Sequence, residues 1–142
     1  MSRTILANQT ATVDLSSTGF KPIPGMARYI CAPGPVLAHI RTDVVIRNTA
    51  GAAAIASVAI RIDSVEIITA RRANTIPATG RLNCSTAHLA ALAAGVHYIE
   101  AGVLGAGLAT LTADLNTGSN IINIEYQHQP GPLHLSNETL VI

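Results

Sequence analysis

The chain has 142 residues, which is enough for one domain with a buried core and too few for two. Charged residues make up only 12% of it, about half of the roughly 25% usual for soluble domains, and the formal net charge is +1. Because aromatic residues are also scarce, at 3%, this composition argues against a basic nucleic-acid surface with stacking platforms.

The first segment, residues 1–27, is predicted to be an N-terminal arm with one strand around Val13, where apolar and polar residues alternate. Pro22 and Pro24 lack the N–H group that a sheet ladder needs, so their surroundings are expected to be neither helix nor central strand. Phe20 is the single phenylalanine of the chain, and we expect it to anchor this arm in a pocket.

The body is predicted over residues 28–128, and its clearest strands are Val36–Asn48 and Ala54–Asp63. Both alternate apolar and polar residues, and the short turn between them predicts a long antiparallel hairpin. Charged residues on its polar face are expected to pair across the hairpin and to contribute less than about 1 kcal/mol per pair. These residues are Arg41, Asp43, Arg47, Arg61 and Asp63.

The next part of the body contains the corner around which we expect the fold to be organised, Leu82–Val103. Before it, Val65–Ala70 is predicted as a strand and residues 71–80 as a loop. Within it, a strand leads into a short alanine-rich helix over His88–Ala94, and Gly95 ends the helix before a second strand. Such a short helix needs packing to hold it.

Leu108–Ala113 and Ile121–His128 are predicted as the last strands of the body, and residues 129–142 as a C-terminal arm. Short strands separated by turn residues, with no alternation of strands and helices, are typical of a sandwich or barrel. The predicted fold class is therefore all-β, an antiparallel jelly-roll-like β-sandwich with an extended arm at each end.

No catalytic, cofactor or metal site is predicted. Cys31 and Cys84 are expected to be buried free thiols, although a disulfide between them stays open. A hydrolase using Cys84, or a carboxylate pair from Glu66, Glu100 and Glu125, is the weakest alternative, because no motif supports it. The histidines lack zinc-ligand spacing; they are His39, His88, His97, His128 and His134.

The low charge of the chain predicts that other subunits cover part of its surface, since a monomer normally needs more charge to stay soluble. The alternative is that serine, threonine, asparagine and glutamine solvate that surface. The N-terminal Met1–Thr4 begins no apolar leader, and no apolar run is long enough to span a membrane, so we expect neither secretion by signal peptide nor a membrane partner.

Several short motifs in the body resemble the jelly-roll modules of tailed-bacteriophage structural proteins. Those modules occur in tail-fibre heads and capsid decoration (cement) proteins, and in shape they resemble the TNF and C1q heads. The motifs lie between residues 36 and 128. They are Arg61-Ile62-Asp63, residues 76–81, Leu89 with Leu92, Ala94-Gly95, His97, Ile99-Glu100, residues 107–113 and Ile121–Glu125. Val96 and Tyr98 replace threonines of the family pattern, which makes that strand more apolar.

The resemblance implies a homotrimer with no cofactor and no nucleic-acid partner. We expect a virion protein made in the host cytoplasm, a trimeric decoration protein that contacts the major capsid protein or other virion proteins. The alternative is a tail-fibre or spike head that binds host glycan near Tyr98, Tyr126 and Glu125. The residues expected to contact other subunits or the capsid are Phe20, Leu92, Val96, Tyr98, Leu133 and Leu135.

Overall fold

The computed structural model describes residues 2–16, 18–105, 110–114 and 120–128, which form two antiparallel β-sheets. A single turn of 3₁₀ helix, Ile68–Ala70, interrupts the strands. In the described ranges, no helix is long and apolar enough to cross a membrane. The strands are β1 (Ser2–Asn8), β2 (Val13–Asp14), β3 (Lys21–Ala32), β4 (Val36–Asn48), β5 (Ala54–Ile62), β6 (Val65–Glu66), β7 (Arg72–Ile76), β8 (Gly80–Leu92), β9 (Gly95–Leu104), β10 (Leu111–Ala113) and β11 (Ile121–His128).

Strand β4 is the centre of the first sheet, called sheet A. Strand β8 pairs with β4 along its whole length, from Val36 opposite Leu92 to Asn48 opposite Gly80. Strands β11 and then β1 follow on the other side of β4, and β10 with β2 continues beside its end. Sheet B has the order β3-β9-β5, with β6 and β7 both paired to β5.

The core lies between the two sheets and is filled by alternate residues of each strand. On β4, every second residue from Val36 onward is buried, whereas its neighbours face outward. Period-two burial of this kind fixes which face of each strand turns inward. The predicted all-β antiparallel sandwich is confirmed. The largest fully buried side chains include Ile40, Ile46, Ile60, Ile99, Ile122 and Ile124.

The predicted hairpin between Val36–Asn48 and Ala54–Asp63 is wrong, although both strands exist. β4 lies in sheet A between β8 and β11, and β5 lies in sheet B between β9 and β7. The connection therefore crosses from one layer of the sandwich to the other. Alternation identifies a half-buried strand, but it does not identify the partner of that strand.

The predicted helix over His88–Ala94 is also wrong, because β8 runs without interruption to Leu92. Ala90 and Leu92 are buried on one face, while Leu89 and Ala91 face solvent. Alanine and leucine favour a helix locally, but pairing with β4 buries alternate residues of the segment, and tertiary context overrides so weak a propensity.

The expectation of an arm with one strand over residues 1–27 is wrong as well, because strands from this segment join both sheets. β1 pairs with β11 in sheet A, and β3 pairs with β9 in sheet B from Lys21 onward. Pro22 and Pro24 are tolerated because β3 is an edge strand. The register shifts between Pro22 and Ala27, and Gly25 there has a φ of 85°, which favours glycine.

Two smaller predictions also need correction. Val65–Ala70 contains only the short strand β6 followed by the 3₁₀ turn, and residues 71–80 contain strand β7. The last strand, Ile121–His128, is confirmed. The strand predicted over Leu108–Ala113 is found as β10, Leu111–Ala113, and the first residues of the predicted strand lie outside the described residues. The predicted C-terminal arm, residues 129–142, also lies outside them.

Candidate functional site

Phe20 is half-buried and packs against β9 and β5 of its own chain. The ring covers Gly102 of β9 so closely that a Cβ atom at that position would overlap it. Arg61 of β5 lies on the ring, with its Cζ 4.4 Å from the ring centroid, in a cation–π contact. Phe20 therefore closes the centre of the outer face of sheet B.

The same outer face contains a buried ion pair between Arg61 and Glu100. Arg61 Nε donates to Glu100 Oε2 at 2.6 Å, and the Glu100 side chain is only 6% exposed. Burying a carboxylate is costly unless it is paired and hydrogen-bonded in this way. Beside it, Arg71 donates from Nε and Nη2 to the two carboxylate oxygens of Glu66, at 2.6 and 2.7 Å.

Two of the expected contact residues, Val96 and Tyr98, meet on an exposed corner of sheet B. Tyr98 lies opposite Tyr29 of β3, with ring centroids 4.5 Å apart, and Val96 lies opposite Cys31. Tyr29 is 69% exposed and Val96 is 63% exposed. We call Tyr29, Cys31, Val96 and Tyr98 the aromatic corner. Tyr29 and Cys31 were missed in the sequence because only the β3–β9 register places them there.

The expectation of two buried thiols is therefore half wrong. Cys31 is exposed and Cys84 is buried, and both are free, so no disulfide joins them. Burial raises the pKa of the Cys84 thiol to about 11. A thiol that stays protonated at neutral pH is a poor nucleophile, which argues against the cysteine-hydrolase alternative.

His97 is clamped at the turn between β8 and β9. Its Nδ1 is 2.7 Å from Asp63 Oδ2, and its Nε2 is 2.7 Å from the Ala93 carbonyl oxygen. Asp63 also accepts the backbone N–H of Tyr98 at 2.8 Å. The hydrogen bond that His97 donates to Asp63 raises the pKa of His97, and the bond to the Ala93 carbonyl adds to this effect; the same His97–Asp63 bond lowers the pKa of Asp63.

Leu92, another expected contact, is instead a core residue. It is only 9% exposed and lies opposite Val36 at the end of sheet A. It therefore supports the sandwich from inside. Leu133 and Leu135, the remaining expected contacts, lie outside the described residues.

The expected charge pairs across β4 and β5 are wrong, because those strands lie in different sheets. Arg47 instead lies beside Asp114, with Nε 2.7 Å from Oδ2, and Arg61 and Asp63 pair with Glu100 and His97. Three of the five charges, Arg47, Arg61 and Asp63, thus have partners other than those expected.

A groove of about 230 Å³ crosses the outer face of sheet A. Leu89, His39 and Glu125 form one row across β8, β4 and β11 in this groove. The glycan alternative names Glu125, Tyr126 and Tyr98 together. The structure brings only the first two together, because Tyr98 lies on sheet B. The lining residues are Leu37, His39, Leu89, Glu125, Tyr126 and Gln127.

The carboxylates named for a hydrolase do not converge. Glu66 and Glu100 are each paired with an arginine on sheet B, and Glu125 lies in the groove of sheet A. Within the part of the chain that the structure describes, no group of three His, Cys, Asp or Glu side chains could hold a metal ion.

The fold resembles solved structures of the TNF type. Murine APRIL at pH 5.0 aligns with a TM-score of 0.54 at 11% identity, over 89% of this chain and 100% of that chain. The Eiger TNF of S. frugiperda aligns with a TM-score of 0.54 at 10% identity, over 92% of this chain and 96% of that one. The likeness shows the fold alone.

The TNF-like jelly-roll part of the predicted resemblance is thereby confirmed. No protein-family model matches the chain, and no curated protein matches its sequence. The function must therefore be argued from the surfaces described above.

Proposed function

We propose that this chain is a non-catalytic structural subunit of a virus particle, a homotrimer that decorates the capsid. The observation that supports self-association best is the outer face of sheet A. This face is formed by β1, β11, β4 and β8 side by side, and it is broad because β8 follows β4 along its full length.

The side chains of this face suit a subunit contact. Leu6 is 52% exposed and Leu89 is 59% exposed, and Leu37 is half-buried on the same face, one row beyond Leu89. Ala87 and Ala91 of β8 are small enough to allow close approach of another chain. Exposed leucines on a broad sheet face are typical of a surface that a partner covers.

The opposite face is less available for a large contact. Phe20 and the Arg61–Glu100 pair already cover the middle of sheet B. A stable subunit contact buries about 800 Å² on each partner, which needs a continuous surface. Sheet A offers a broad face on which Leu6 and Leu89 lie among the polar side chains His39, Arg41 and Glu125, and the low charge of the chain, 12%, agrees with its being covered.

The TNF-like fold supports the trimer, and the resemblance of the sequence motifs to phage jelly-roll modules supports the virion role. In this role the protein is made in the host cytoplasm and joins the particle beside the major capsid protein. Symmetry then makes many weak contacts multivalent, so the subunits hold the shell together against internal pressure.

The trimer is tested by light scattering after gel filtration. We expect a mass three times the 14.7 kDa of the chain, and a monomer at micromolar concentration would overturn the proposal. Leu89→Asp should release folded monomers, because it places a charge in the sheet A contact. Val65→Asp is the matched control, since Val65 is 65% exposed on β6 of sheet B. It should leave the trimer intact.

The virion role is tested by cryo-electron microscopy of purified particles whose genome encodes the chain. We expect the TNF-like sandwich to be traced on the outer surface of the head, at junctions between capsomers. Particles that lack the protein by mass spectrometry would overturn this role while leaving the trimer in place.

A second candidate, the head of a tail fibre or spike that binds host glycan, is favoured by the groove on sheet A. Glu125, His39 and Gln127 provide polar groups on the outer face, in about 230 Å³. This candidate predicts specific glycan-array binding that Glu125→Gln abolishes and that Glu66→Gln, on the other sheet, does not. Binding that both variants retain would exclude the groove.

A further inference from the structure

Two arginines lie directly opposite each other at the end of sheet A. Arg47 of β4 and Arg81 of β8 are paired positions in the register of these strands, and both point to the outer face. Like charges at directly opposite positions of an antiparallel pair destabilise it. A negative partner between them would therefore stabilise the arrangement.

The negative charge supplied nearby is incomplete. Asp114 approaches Arg47, with its Oδ2 2.7 Å from Nε, yet that buried Nε makes no well-directed hydrogen bond. The close distance shows charge pairing, and the poor direction shows that the N–H remains unsatisfied. Arg81 takes part in none of the ion pairs found within the described ranges. Asp114 thus pairs with Arg47 alone, and Arg81 is left without a carboxylate partner among the described residues.

An open cavity of about 360 Å³ lies against these two side chains. Most other polar groups in its wall already donate elsewhere: Thr79 Oγ1 to the Ala78 carbonyl at 2.8 Å, and Asn48 Nδ2 to the Ala52 carbonyl at 2.9 Å. The guanidinium groups are therefore the main donors offered to the cavity. Its lining residues are Arg47, Asn48, Thr49, Thr79, Gly80 and Arg81.

We propose that this cavity binds a small oxyanion, a phosphate or carboxylate group, held between Arg47 and Arg81. Planar guanidinium groups bind both kinds of oxyanion through parallel N–H bonds. The anion relieves the repulsion between the two arginines and leaves Asp114 in place beside Arg47. The group is either free in solution or carried on an acidic sugar. The site does not depend on the proposed function.

The test is thermal unfolding of the purified full chain in sodium phosphate, in sodium glucuronate and in sodium chloride at equal ionic strength. Because a ligand that binds only the folded state raises Tm, phosphate or glucuronate should raise it above the chloride value. Stabilisation by phosphate alone indicates a tetrahedral anion, and stabilisation by glucuronate indicates an acidic sugar.

Arg81→Gln separates the site from general charge effects. It should weaken binding at least about tenfold by calorimetry and abolish the anion-dependent rise in Tm, while Tm in chloride stays the same or increases as repulsion is lost. Arg28→Gln, on the opposite sheet, removes the same charge and should keep full binding.

Equal loss of binding in the two variants, or no anion effect on the native chain, would overturn the proposal. Gel filtration of the same samples reports the oligomeric state. A trimer that binds no anion would overturn the anion site and leave the trimer proposal in place. A monomer that binds the anion would do the reverse.

Discussion

His97 and Asp63 hold the turns at one end of sheet B together, with Nδ1 of the ring 2.7 Å from Oδ2 of the carboxylate. The other ring nitrogen faces the Ala93 carbonyl at 2.7 Å. Both partners accept hydrogen bonds, so both ring nitrogens must donate, and only the protonated imidazolium can do that. The clamp is therefore complete only when His97 is charged.

The first prediction is that stability falls as the pH rises through the titration range of His97. The pKa of His97 is raised, so its contribution is full below the unfolded-state pKa of about 6.5 and is lost as pH rises through the folded-state pKa. The pKa of Asp63 is lowered, so its contribution is present above about 3.9 and is lost as the pH falls through the folded-state pKa.

Urea unfolding at mildly acidic and at alkaline pH checks this. We expect the free energy of unfolding to drop by about 0.5–1 kcal/mol between them, since the pair lies near the surface. His97→Gln should remove this drop, while His39→Gln, in the groove of sheet A, should keep it. A drop that survives in His97→Gln would mean that another group titrates.

The second prediction concerns the two ion pairs of sheet B. Glu100→Ala should destabilise the protein by about 2 kcal/mol, because it leaves Arg61 against Phe20 without its buried counter-charge. Glu66→Ala, which breaks the more exposed pair with Arg71, should cost clearly less, because solvent screens that pair. Chemical denaturation measures the loss of unfolding free energy in both variants. Equal losses would contradict the interpretation that the Arg61–Glu100 pair matters more because it is more deeply buried.

The third prediction is that Gly102 and Phe20 are energetically coupled. Gly102→Ala places a methyl group into the Phe20 ring and should cost about 1–3 kcal/mol. In a Phe20→Leu background the ring is gone and the same change should cost less. A double-mutant cycle measures this coupling. Strict additivity would show that the ring moves away freely.

The fourth prediction uses neighbouring positions on β8. Leu92→Asp puts a charge into the core and should prevent folding, whereas Leu89→Asp on the outer face should leave the chain folded. Circular dichroism and cooperative unfolding report the difference. A helix over this segment would place both residues on one face, so similar behaviour of the two variants would contradict the strand.

The failed sequence predictions share one cause. The alternation of apolar and polar residues correctly predicted strands at Val36–Asn48 and Ala54–Asp63. The prediction then paired these strands with each other, whereas in the structure they pair with β8 and β9. For His88–Ala94, the prediction gave more weight to the helix preference of alanine than to the weak apolar–polar alternation of the segment. In the structure, pairing with β4 decides the conformation.

The sequence by itself determined the all-β class, the existence and inner faces of the main strands, and an unusually uncharged surface, because alternation and composition are local properties. Only the tertiary structure decided which strands are neighbours. It thereby placed Tyr29 on Tyr98, Arg61 on Glu100 and Arg47 beside Arg81. Strand partners are chosen by burial and register across distant segments, so no local pattern identifies these pairs.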